Sequence, residues 1–323
     1  MSAAGPLRIG ILGARSWIAG QAVIPAIEAS DEVVLTAVGA GSGPAPAALA
    51  HLDAGGYEGV LADPRVEAVY IPLANGLHRP WVERAAAAGK HVLCEKPLGL
   101  GADDAAAMEA VCRAAGVLLA EAWMTPFGAR WAEVVGIAAA GGLGDVRHVR
   151  GEFTFTLGPA MAANYRWDPA HGGGALLDVG IYALGAAVAL WGAEPVTVAA
   201  SARRSDTGVD ATTSVWCDWG DDRTASALVS FELPERQRLD IAGTGGRLTV
   251  GGPAFTGGAA ARSYTRQHAD GAVETVTTVA DDPYRGMVDA FARAVRGTAP
   301  WPRPAADAVA LARLLDRVRS AAG

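Results

Sequence analysis

Cysteine is scarce in this chain of 323 residues: Cys94, Cys112 and Cys217 lie far apart, with no Cys-x-x-Cys among them. Three well-separated thiols offer no metal-ligand spacing, and they fit a reducing, cytoplasmic compartment better than a disulfide framework. Basic excess is missing too. Lys and Arg number 27 against 34 Asp and Glu, a formal charge of -7, so nothing supports nucleic acid as a partner. Long apolar runs are also lacking. The longest, near Ile181 to Ala193, is too short to span a bilayer, and Met1-Ser-Ala-Ala-Gly-Pro6 has no basic stretch followed by an apolar one. Neither a membrane partner nor a targeting segment is expected. No repeat, coiled coil or low-complexity linker is evident, and a chain of this length is expected to divide into two domains.

What is present alternates. Leu7–Leu12 reads as a buried strand ending at Gly13, Ala22–Ala29 as a helix with Pro25 as a kink or late start, and Val33–Val38 as the next strand. A short helix over Pro46–Leu52, a strand over Val66–Ile71, a helix over Pro80–Ala88, a strand over His91–Cys94, a helix over Ala102–Ala115 and a strand over Val117–Ala120 follow. This succession predicts an α/β fold, a Rossmann-type doubly wound parallel sheet over 1–122. Beyond it, helices over Arg130–Ala140 and Ala175–Trp191 alternate with strand-like runs at Val146–Thr156, Val196–Ala200, Thr213–Cys217, Ala225–Phe231, Gln237–Ala242 and Arg247–Val250. Turn clusters at Asp218–Asp222 and Gly243–Gly246 suit hairpins, so 123–323 is expected to be an α+β domain with a mainly antiparallel open sheet. Helices over Arg285–Val295 and Pro304–Ala321 close the chain, the last able to pack back on the first domain; Gly251–Asp282 gives no pattern.

Chemistry concentrates at a few places. In Glu95-Lys96-Pro97 a lysine stands at the carboxyl end of a buried strand, which is where open parallel sheets bind ligands. In Gly172-Gly-Gly-Ala-Leu-Leu-Asp178-Val-Gly-Ile-Tyr182 an acid and a phenol four residues apart share one helix face. The turn Gly13-Ala14-Arg15-Ser16-Trp17-Ile18 follows the first strand, where a dinucleotide fold sets its phosphate loop, but Arg15 stands at the second glycine position.

Taken in order, Gly10-Ile-Leu-Gly13, Ile71-Pro-Leu-Ala-Asn75-Gly-Leu-His78, Ala88-Gly-Lys-His-Val-Leu-Cys-Glu95-Lys96-Pro97-Leu98, Glu121-Ala-Trp-Met124, Tyr165-Arg-Trp-Asp-Pro169 and the Gly172–Tyr182 segment resemble the glucose-fructose oxidoreductase and inositol dehydrogenase (Gfo/Idh/MocA) family. The likeness runs to about Trp191 and includes Tyr284–Ala321. Tyr182, where the inositol dehydrogenases would have histidine, resembles the branch of dihydrodiol dehydrogenase, aldose dehydrogenases and nucleotide-sugar ketoreductases. The resemblance implies an NAD(P)-dependent oxidoreductase that transfers a hydride between nicotinamide and a secondary alcohol or lactol of a sugar-like substrate. Lys96 would meet the substrate oxygen, Tyr182 would serve as general acid or base, and Asp178 would hold the substrate or the lysine. Asn75 and His78 would lie along the nicotinamide ribose, with Pro72, Leu73 and Glu95 on the same wall. Trp123, Arg166 and Trp167 would line the sugar site or pack as core. A dimer or tetramer is also implied; no metal is expected, since the cysteines lack ligand spacing.

Two contrasting expectations stand beside this one: a nucleotide-binding regulator without turnover, which would not need Lys96 and Tyr182, and redox-assisted glycosidic cleavage. In the segment Val38-Gly-Ala-Gly-Ser42 neither an arginine for a 2′-phosphate nor an acid for ribose hydroxyls occurs. Arg15 and Ser42 tilt the expectation slightly toward NADP over NAD. Ala74 replaces the proline that often precedes the asparagine in this branch, with little expected effect on chemistry.

Overall fold

Leu7, Ile9, Ile11 and Leu12 are all removed from solvent, and they build the first strand of a sheet covered on both faces. In this computed structural model, which describes residues 5–158 and 161–323, the chain divides into two units, Met1–Met124 with Tyr284–Val309 and Thr125–Pro283 with Ala310–Gly323.

The first unit holds β1 (Leu7–Leu12), β2 (Val33–Gly39), β3 (Ala68–Ile71), β4 (His91–Glu95) and β5 (Leu119–Ala122), all parallel in the order β2-β1-β3-β4-β5. Between them run α1 (Ile24–Glu28), α2 (Tyr57–Ala62), α3 (His78–Ala87) and α4 (Ala102–Ala114). The expected helix at 22–29 opens instead as a π-helical turn over Ala19–Val23 and becomes α-helical only at Ile24. Pro25 sits in the first turn of α1, where its missing N–H costs least, so it marks a late start and not a kink. The segment 47–52 is a 3-10 helix, α2 is an addition that the pattern did not announce, and β5 starts two residues later than its apolar run.

The second unit is built on α5 (Ala129–Ala139), β6 (Val146–Thr154), α6 (Ala175–Trp191), β7 (Thr197–Arg204), β8 (Asp210–Gly220), β9 (Arg223–Ser230), β10 (Arg236–Gly243), β11 (Gly246–Val250), β12 (Ser263–His268) and β13 (Val273–Thr277). Its strands lie in the order β13-β12-β11-β10-β6-β9-β8-β7, antiparallel throughout except for the β6–β9 pair. α6 lies on β6, β8 and β9, and every residue from Ala175 to Ala187 is buried, as a helix apolar on all sides requires. Gly151 of β6 faces the Ala183 carbonyl so closely that any Cβ there would overlap the helix backbone. A glycine is therefore what lets α6 lie flat on the sheet. β12 and β13 occupy part of the 251–282 stretch that had no readable pattern, while 159 and 160 lie outside the described residues.

Two helices complete the chain, α7 (Pro283–Val295) and α8 (Ala305–Ala321). Within the first unit, Arg293 bonds the Glu32 carboxylate at 2.6 Å, Arg296 bonds Glu67 at 2.8 Å and 3.0 Å, and Phe291 meets Trp301 edge to face.

Candidate active-site residues of the two units

In the first unit, β1 is flanked by β2 on one side and β3 on the other, so the chain reverses its direction of winding there. The crevice at such a switch point is the ligand site of open α/β sheets. All five strands being parallel, Gly13, Pro72, Asn75 and Lys96 follow the carboxyl ends of β1, β3 and β4 along one edge. Gly13 has φ +124°, and a Cβ on it would stand 2.9 Å from Leu73 Cδ2 and 3.3 Å from Pro72 Cγ. Only glycine fits this turn. The amides of Gly13 and Ala14 both donate to the Gly39 carbonyl, at 2.9 and 3.0 Å, and the Ser16 amide closes the turn on Gly13. Ala14 is buried, Ser16 and Ile18 are half-buried, and Trp17 is 76% exposed. Arg15 reaches to the segment after β2, where its Nη1 donates to the Ser42 carbonyl at 2.8 Å.

Next to this turn, the environment of Lys96 is densely charged. Glu95 is buried, accepts the Tyr70 hydroxyl at 2.7 Å on Oε1 and the Lys96 amide at 3.2 Å on Oε2. Burial lifts its carboxyl above the ordinary range, against the pull of the Lys96 charge and the Tyr70 and backbone hydrogen bonds. Glu121 receives the Leu98 amide at 3.1 Å and the Arg303 guanidinium at 3.2 Å, and Arg303 lies 4.3 Å over the buried Trp123 ring. Lys96 is half-buried, and the peptide bond from it to Pro97 is cis. Asn75 is buried at the start of a 3-10 turn. His78 is fully buried, with Nδ1 3.0 Å from the Pro97 carbonyl and Nε2 3.0 Å from that of Leu73. Desolvation lowers its pKa to about 4, although both carbonyls favour the charged ring and Lys96 opposes it. The neutral ring donates to one carbonyl, so His78 acts as a strut between the loops after β3 and β4.

In the second unit, α6 presents Asp178 and Tyr182 one turn apart, both buried. Asp178 does not stand alone. Arg166 grips it bidentately, with Nε 2.7 Å from Oδ2 and Nη2 3.1 Å from Oδ1. Burial works against the arginine's charge, but Asp178 outweighs it and raises the guanidinium above its ordinary range, with smaller help from Tyr165 and Tyr182. The Tyr182 ring packs against both Phe153 and Phe255, at 5.3 and 6.1 Å between centroids. Trp167 packs edge-on against Phe231 at 5.4 Å.

Sequence reasoning overlooked Asp210. On β8, its Oδ2 accepts the Leu176 amide at 2.8 Å and the Thr213 hydroxyl at 2.7 Å, so a residue 34 positions away caps the start of α6. Burial lifts its carboxyl, against those hydrogen bonds. Among the described residues no group of His, Cys, Asp or Glu could hold a metal, and no helix is long and apolar enough to cross a membrane.

Residues 7–122 match the oxidoreductase family with NAD-binding Rossmann fold, and residues 131–249 match the GFO/IDH/MocA C-terminal domain. The chain belongs to the GFO/IDH/MocA oxidoreductase family. Among its relatives, the D-xylose 1-dehydrogenase (NADP(+)) 2 of Haloferax volcanii is 39% identical over 98% of this chain and 97% of that protein. A dTDP-3,4-didehydro-2,6-dideoxy-alpha-D-glucose 3-reductase of Streptomyces violaceoruber is 36% identical over 98% and 95%. The crystal structure of a 3-ketoreductase from Actinomadura kijaniata with NADP and TDP-benzene superposes with a TM-score of 0.88 at 29% identity, covering 98% of each chain. GFO/IDH/MocA membership bears out the resemblance and the two-part architecture read from the sequence.

Proposed function

We propose that this member of the GFO/IDH/MocA family is an NAD(P)-dependent dehydrogenase or reductase acting on a CH–OH or ketone carbon of a sugar or sugar nucleotide. One observation carries the assignment of roles: Tyr182 is buried on α6 one turn from an Asp178 already neutralised by Arg166. A phenol in that setting is not a surface tyrosine, and proton transfer is the role assigned to it. The nicotinamide, when bound, supplies or accepts the hydride. Gly13 fits the close backbone approach of a dinucleotide, since its position leaves no room for a Cβ, and Arg15 two residues on offers a guanidinium. Tyr182 gives its proton to the substrate oxygen in reduction and takes it in oxidation. Lys96 is assigned, as the resemblance implies, to meet that oxygen with its ammonium. Asp178, held by Arg166, fixes the polar face of α6 near the phenol, and His78 keeps the loops bearing Asn75 and Lys96 together.

Support for a sugar-like substrate comes from the xylose dehydrogenase and dTDP-sugar reductase relatives. The test is absorbance of reduced cofactor with NAD and NADP against aldoses, polyols and keto-sugar nucleotides. Lys96→Met and Tyr182→Phe should each lower kcat at least about 100-fold, the usual contribution of a positioned proton donor, with nucleotide affinity nearly intact. Turnover retained in both variants overturns the assigned roles; cofactor binding with no turnover on any substrate favours a regulator. Two further features belong to this reading. Three buried free thiols support a cytoplasmic setting. A homo-oligomer, which the family resemblance implies, would join through the outer sheet face that carries Trp216 on β8.

A further inference from the structure

We propose that Arg15 is the residue that selects NADP(H) over NAD(H), gripping the 2′-phosphate from the phosphate loop instead of from the segment after β2. The inference rests on the dinucleotide-binding reading above and goes beyond it to the choice of cofactor. In a dinucleotide fold the discriminating side chain normally follows the second strand, an acid for ribose hydroxyls or an arginine for a phosphate. Here Gly39-Ala-Gly-Ser-Gly-Pro44 contains neither.

Arg15 supplies the missing charge from the other side. Its Nη1 is anchored at 2.8 Å on the Ser42 carbonyl and lies 3.2 Å from where a Cβ on Gly43 would stand. The guanidinium is thus held over the very segment that lacks a cation. A guanidinium has five N–H donors, and this anchor uses one; the others make no hydrogen bond within the described residues, and the side chain is exposed. The next acid along the chain is committed elsewhere, for Asp53 receives the Ala45 amide at 3.0 Å on Oδ2 and the Gly55 amide at 2.9 Å on Oδ1. No carboxylate is therefore arranged here to accept the ribose hydroxyls of NAD, while a planar, partly anchored cation suits a phosphate dianion. Glycines at 41 and 43 leave that cation uncovered.

The measurement is calorimetric titration of the full-length protein with NADPH and NADH, together with 2′,5′-ADP and 5′-ADP as probes that carry or lack the 2′-phosphate. Wild type is expected to bind the 2′-phosphorylated member of each pair more tightly. Arg15→Ala should lose about 10- to 100-fold in affinity for NADPH and 2′,5′-ADP, the range expected for hydrogen bonds to a charged group. NADH and 5′-ADP should stay within about threefold, and Arg15→Lys should fall between, keeping the charge without the fork. Equal weakening of both nucleotides, or an undiminished preference for NADPH in Arg15→Ala, overturns the role of Arg15 while leaving a dinucleotide site in place. Absence of binding by either nucleotide to wild type would instead overturn the dinucleotide reading, and this inference with it. An unchanged melting temperature in Arg15→Ala excludes misfolding as the cause.

Discussion

Replacing Glu67 with glutamine should cost the first unit a pH-dependent share of its stability. Glu67 stands just before β3, and its carboxylate accepts two N–H groups from Arg296 at 2.8 and 3.0 Å and the Arg8 amide at 3.0 Å. These bonds tie the end of α7 to the sheet. Led by the Arg296 hydrogen bonds, against an opposing push from burial, its pKa falls from 4.5 to about 2. At about 1.36 kcal/mol per pH unit, that drop corresponds to at most about 3.4 kcal/mol. Since 26% of the side chain still meets solvent, screening brings the expected figure to about 2 kcal/mol. A depressed carboxylate stabilises the fold above its unfolded pKa and ceases to do so as pH falls through the folded value. The contribution is therefore complete above about pH 5 and fades between 4.5 and about 2. Urea unfolding of wild type and Glu67→Gln should differ by about 2 kcal/mol near pH 7 and converge near pH 2 to 3. A difference that is constant with pH, or below about 0.5 kcal/mol at neutrality, would refute the reasoning.

Two other outcomes follow from the second unit. Arg166→Leu should destabilise by about 2–4 kcal/mol by stranding a buried carboxylate, and adding Asp178→Leu should restore part of the loss in a denaturant double-mutant cycle; additive losses would show that the pair is not coupled. Trp216→Glu should shift the protein to a smaller species in size-exclusion chromatography with light scattering, and an unchanged mass would remove the outer sheet face as the contact.

Where local pattern and tertiary environment agree, the fold was readable from the chain. Ala175–Trp191 is helical over the anticipated range because a run apolar but for Asp178 and the Tyr182 hydroxyl lies between glycines at 174 and 192. β1 was equally plain, being buried and stopped by a glycine. Legibility failed where the stabilising partner is remote in sequence. β12 and β13 are polar, Ser263-Tyr-Thr-Arg-Gln-His268 and Val273-Glu-Thr-Val-Thr277, and owe their extended form to register with each other and with β11. α2 has six residues with Gly59 among them, too few for a period to emerge. Among the chemical residues, motif order marked Lys96, Asp178 and Tyr182. The Arg166 fork on Asp178 and the Asp210 cap on α6 arise from folding and leave no spacing to recognise.

The helix that carries Tyr182 is fastened at both ends to the same strand and its neighbours. Asp210 at the start of β8 clasps the first turn of α6, and Trp219 near the end of β8 donates its indole N–H to Gly192 at 3.0 Å, just past the last turn. A beam moored twice in this way resists sliding and rolling on its support. The bearing of the Tyr182 phenol is thereby set by the sheet beneath it and not by the helix alone.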